Sequence, residues 1–62
     1  MLFRSLVGQL AEALETIESE GWARVSGERW RVRSSRPLQA GESARVTKVD
    51  GLILHTEPIE KN

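Results

Sequence analysis

The chain has 62 residues, with two tryptophans, one histidine, no cysteine, and nine basic residues balanced by nine acidic ones. That length allows one small domain near the lower limit for an unassisted fold, and the composition excludes disulfides, a thiolate site and a Cys/His zinc centre. No apolar run approaches the roughly 20 residues of a membrane helix, and the opening MLFRSLVG is too short and too weakly apolar for a signal peptide, so the sequence reads as a soluble chain that does not itself insert into a membrane.

The charges are segregated. Met1 to Gly21 carries a net charge of −3, Trp22 to Lys48 a net of +5, and the remainder a net of −2. Blocks of this kind attract one another across a folded domain, and they also leave one face basic for a partner.

In chain order, the first twenty residues divide local reasoning. Leu6, Leu10, Leu14 and Ile17 recur at helical spacing, Ser5 can cap, and Gly21 can stop the segment, which favours an amphipathic helix. A long bent strand from Gly8 to Ile17 is the alternative. The next segment, GWARVSGERWRVRSS, reads as two strands around a tight turn at Ser26-Gly27. A two-residue loop there sets Val25 opposite Glu28, Arg24 opposite Arg29, Ala23 opposite Trp30 and Trp22 opposite Arg31. Because side chains alternate, Ala23, Val25, Trp30 and Val32 share the core face, while Trp22, Arg24, Arg29, Arg31 and Arg33 share the other.

In SSRPLQAGE, Pro37 and Gly41 mark a loop too short for an ordinary helix, with Leu38 free to plug an open end of a barrel. ESARVTKV and LILHTEPI form a second hairpin around Asp50-Gly51. Ala44 and Val46 share one parity, whereas Val49, Leu52 and Leu54 demand the other. A β-bulge near Thr47-Lys48 reconciles them by bringing Ala44, Val46 and Val49 onto one side. Pro58 ends the last strand, and EKN is a solvated tail.

From Gly8 onward the spacing resembles the C-terminal soluble domain of the NfeD family, the operon partners of stomatin- and prohibitin-like membrane proteins. Gly8, Ala13, Ile17, Gly21, Gly27-Glu28-Arg29-Trp30, Gly41, Gly51-Leu52-Ile53-Leu54 and Pro58 stand at the family's intervals, although Ser19 replaces a usual proline. The resemblance implies an all-β fold, a small five-stranded OB-type barrel over residues 8–58, with Gly8 to Ile17 as its first strand. Helix propensity is a weak prior that strand pairing often overrides. Residues 1–7 become an N-terminal segment, the remnant of a linker to a transmembrane region, and residues 59–62 the tail.

Catalytic readings find little support. His55 is the sole imidazole, the serines lack a motif that presents a nucleophile to a base, and the glutamates at 12, 15, 18 and 20 have no histidine among them. The glycines make no phosphate loop, and neither a cofactor nor a metal is expected. The resemblance therefore implies a non-catalytic interaction domain of a membrane-anchored protein, on the cytoplasmic face. It implies further a stomatin/prohibitin-like partner and regulation of membrane protease activity. The candidate partner-binding residues are Trp22, Arg24, Arg29, Arg31 and Arg33, with strand edges as a second means of contact. The alternative is single-stranded nucleic-acid binding on the strand 2–3 face of an OB fold, disfavoured because only Trp22 is placed to stack on bases. Both readings place Trp30 largely inside, where its replacement by alanine costs roughly 3–5 kcal/mol, and leave Trp22 substantially exposed.

Overall fold

The computed structural model describes residues 6–59. Five strands, β1 (Leu10–Ala13), β2 (Glu20–Val25), β3 (Glu28–Ser34), β4 (Ser43–Asp50) and β5 (Ile53–Pro58), close into a barrel in the order β1-β2-β3-β5-β4. All neighbours run antiparallel except β3 and β5, which are parallel. This is the all-β, five-stranded OB-type barrel expected, and no helix occurs among the described residues. The Ser5 cap, residues 1–5 of the N-terminal segment and residues 60–62 of the tail lie outside the described residues.

The β2–β3 hairpin has the register read from the sequence, from Val25 opposite Glu28 to Trp22 opposite Arg31. Ser26 and Gly27 both take positive φ, 53° and 79°. This is the type I′ pattern whose twist matches that of paired strands. Ser26 is the only non-glycine described residue with positive φ, and its hydroxyl is hydrogen-bonded to the Gln9 side chain.

The first strand is shorter than Gly8 to Ile17. Ala13 ends β1, and the chain swings out before Ile17 returns to bridge Leu38 through reciprocal backbone bonds of 2.8 and 2.7 Å. Gly8 still joins the sheet, its N–H donating to the Val46 carbonyl at 2.7 Å. The helical spacing of the leucines misleads because a different period is buried: Ala11 and Ala13 point inward, while Leu10 and Leu14 are exposed. Leu38 does plug the barrel, fully packed with Ile17 into the core formed by Ala23, Val25, Val32 and Leu54.

In the second hairpin the bulge falls where expected, with the register slipping between Val46 and Lys48. The turn does not. Asp50 pairs with Ile53, so the loop is Gly51-Leu52 rather than Asp50-Gly51. Gly51 has φ 63° and Leu52 does not share the positive value, as a type II′ turn requires with glycine first. Leu52 therefore leaves the core and stands 80% exposed at the tip. Each of the five strands has two neighbours, but the β3–β5 ladder begins only at Arg31, and Glu28 to Trp30 of β3 pair with β2 alone.

Two stability measurements follow. Gly21 is buried beneath Ile17, and a methyl group there would sit 2.7 Å from Ile17 Cγ1 and 3.0 Å from Glu15 Oε2. Gly21→Ala is expected to destabilise the domain by about 1–3 kcal/mol in urea titration through overpacking; unchanged stability would show that Ile17 is free to move. Trp30 is half-buried against the core rather than largely enclosed. Trp30→Ala is accordingly expected to cost about 2–4 kcal/mol, and Trp22→Ala less than half of that, in the same titration.

Candidate functional site

The outer face of the β2–β3 hairpin gathers Trp22, Arg24, Arg29, Arg31 and Arg33. Alternation from the Ser26-Gly27 turn sends them all outward, and the register sets Trp22 opposite Arg31 and Arg24 opposite Arg29. The Arg29 and Arg31 guanidinium carbons lie 5.1 and 5.4 Å from the Trp22 ring centroid, within cation–π range. Trp22 keeps 37% of its surface exposed. Arginine stems thus cover part of Trp22 without enclosing it.

Sequence reading missed Glu20. It occupies the end of the same ladder, opposite Arg33. Its carboxylate accepts from Arg31 Nε–H at 2.8 Å and from Arg33 Nε–H at 3.2 Å. Carrying the hairpin register two residues back from Trp22 finds it; grouping it with the upstream glutamates as one acidic face hides it. The hydrogen bond from Arg33, and then that from Arg31, hold its carboxyl below the ordinary glutamate range. Arg24 and Arg29 make no ion pair to an acid among the described residues.

The backbone of Trp22 is committed as well. Its N–H donates to Glu15 Oε2 at 3.0 Å, and its carbonyl accepts from Leu14 N–H at 3.0 Å. β1 has already ended, so a side-chain carboxylate continues the pairing that a strand would otherwise supply.

Beside this face lies a groove of about 380 Å³, lined by Trp22, Glu28, Arg29, Trp30, Arg31 and Leu52. On the other flank, where β3 runs beside β5, a polar cleft of about 430 Å³ includes Glu20, Arg33, His55 and Thr56. Both of its threonine hydroxyls are occupied: Thr56 donates to the Arg33 carbonyl at 2.8 Å and Thr47 to the His55 carbonyl at 3.2 Å. His55 Nε2 stands 3.7 Å from Asp50 Oδ2, with no serine hydroxyl hydrogen-bonded to it among the described residues. No group of three or more potential metal-ligating side chains occurs among the described residues.

A depressed carboxyl pKa stabilises the fold above the unfolded-state value, and that contribution disappears as pH falls through the folded-state value. Glu20 is therefore expected to release Arg31 and Arg33 only on acidification below the ordinary glutamate range. Carboxyl ¹³C titration should show the low midpoint, and Arg31→Ala with Arg33→Ala should raise it. A Glu20 midpoint unchanged by that double substitution would refute the coupling.

The chain is similar to two solved domains. One is the C-terminal domain of stomatin operon partner protein 1510-C from Pyrococcus horikoshii, at 33% identity and TM-score 0.84, covering 90% of this chain and 91% of that one. The other is the soluble domain of a membrane protein implicated in regulation of membrane protease activity from Corynebacterium glutamicum. There the identity is 31% and the TM-score 0.75, with 82% and 87% covered. No curated protein matches significantly. No helix among the described residues is long and apolar enough to cross a membrane. Residues 4–58 match the model of the NfeD-like C-terminal, partner-binding domain. By barrel, spacing and sequence alike, the chain belongs to that family.

Proposed function

We propose that this domain docks a stomatin/prohibitin-like protein through the outer face of its β2–β3 hairpin, as the non-catalytic soluble module of a membrane-anchored protein. The observation carrying this reading is the grouping of an exposed tryptophan with Arg24, Arg29, Arg31 and Arg33 on one rigid two-stranded platform. Tryptophan and arginine are the residue types that most often dominate interface energetics, since both give large contact area along with polar specificity. The family is a partner-binding one, and the Pyrococcus relative is a stomatin operon partner. The Corynebacterium relative, implicated in regulation of membrane protease activity, supports the same role here: docking would bring a protease and its regulator together without chemistry by the barrel itself.

Oligonucleotide binding has less behind it. Trp22 is the one exposed aromatic on this face among the described residues, two guanidinium groups already lie against its ring, and Glu20 neutralises part of the positive charge.

Binding to a stomatin/prohibitin-like protein is the direct test. The pair Trp22→Ala and Arg31→Ala is expected to weaken co-assembly by about tenfold or more, equivalent to about 1.4 kcal/mol, with an unchanged circular dichroism spectrum. Undiminished binding would remove this face from the docking surface.

A further inference from the structure

The geometry points to a more specific ligand for this face: an acidic linear segment that inserts one apolar side chain into the groove between Trp22 and Leu52. This rests on the docking reading above and names the chemistry the groove selects. Leu52 is the starting observation. It is the most exposed large hydrophobic residue described, and a type II′ turn has no need of leucine at its second position. The parallel pairing of β3 with β5 begins at Arg31 beside Ile53, so Leu52, one residue earlier, arrives beside Trp30. The turn of one hairpin is thereby carried to the aromatic face of the other.

Together Leu52, Trp22 and Trp30 give the groove an apolar lining, and its volume of about 380 Å³ is at the small end for ligand sites. That volume suits one large side chain. Around it the polar groups are mostly donors. Arg29 has no acid partner among the described residues, and Arg31 shares Glu20 with Arg33. Glu28 is the one acid in the lining. Donors surrounding an apolar floor are complementary to a ligand rich in acceptors. Carboxylates flanking the anchor side chain would meet Arg29 and Arg31 on the rim away from Glu28, with charge-assisted hydrogen bonds favouring that orientation.

The test uses fluorescein-labelled peptides about nine residues long, by analogy with short groove-binding segments. One has a central leucine between glutamates, a second replaces the glutamates by lysine, and a third replaces the leucine by serine. A single-stranded oligonucleotide of equal charge serves as the competitor. Fluorescence polarisation reports affinity, and the indole N–H resonances of the two tryptophans report location. The acidic leucine peptide is expected to bind, to move both indole resonances and to weaken as salt is raised. Either Leu52→Asp or Arg29→Glu should cost about tenfold in affinity, as should either change in the peptide. Both protein positions are exposed, and the amide spectrum of each variant verifies its fold. The inference is overturned if the acidic peptide moves neither indole resonance at millimolar concentration, or if the lysine peptide binds equally well. It is also overturned if the oligonucleotide binds more tightly. Failure of the broader reading looks different: the peptide binds but the stomatin-like protein does not. If instead that protein binds and both variants leave its binding intact, docking stands and the groove assignment falls.

Discussion

Alanine meets alanine on both sides of β1, with Ala11 opposite Ala44 and Ala13 opposite Ala23. All four are buried. Close packing of small side chains at both seams leaves room in a narrow barrel for the larger groups supplied from elsewhere. Val25, Val32, Val46 and Leu54 come from the longer strands, while Ile17 and Leu38 enter from loops and bridge each other. Interiors are packed at nearly crystalline density, so each position has little latitude. Gly21 shows the same constraint, since the absence of its side chain is what lets Ile17 lie against β2.

That constraint explains what the sequence revealed and what it concealed. The β2–β3 hairpin was legible because Ser26-Gly27 is a local turn signal and parity does the rest. The bulge near Thr47 was legible too, since Val46 and Val49 could share a side only with an extra residue between them. The first segment was not legible locally. Its leucines follow a helical period, but the barrel buries the alanines between them and leaves Leu10 and Leu14 outside. A scale that ranks leucine above alanine for burial points the wrong way where volume is scarce. The second turn was misplaced by one residue because Asp-Gly and Gly-Leu both make acceptable two-residue loops. The choice is tertiary: with Asp50 opposite Ile53, Leu54 falls across from Val49 and also beside Val32 in the parallel ladder.

The five candidate residues share one surface for the same reason that Ala23, Val25 and Val32 share the interior. Two further features complete that surface, one within reach of the hairpin register and one set only by the tertiary fold. Glu20 closes the ladder by holding Arg31 and Arg33, and Leu52 arrives from a distant turn. Arg24 directly opposite Arg29 is a local conflict, since like charges on facing positions destabilise a strand pair. No acid forms an ion pair with either among the described residues. A departure of this kind from the arrangement best for the fold is expected where a surface is kept for a ligand.

Closure of the barrel also limits how a partner can be recognised. An open sheet edge would let a peptide add as another strand, with backbone hydrogen bonds supplying much of the affinity. Here the barrel is closed, although Glu28 to Trp30 of β3, ahead of the β3–β5 ladder, pair with β2 alone. Where β1 stops short of β2, the Glu15 carboxylate and the Leu14 N–H take the backbone groups of Trp22. At Trp22 the main chain has neither donor nor acceptor left to offer. Recognition there must pass through side chains: an aromatic surface, guanidinium donors and the leucine at a turn tip. Specificity then depends on the chemistry and spacing of the partner's own side chains, and a single outward substitution can alter it while the alanine-lined interior stays intact.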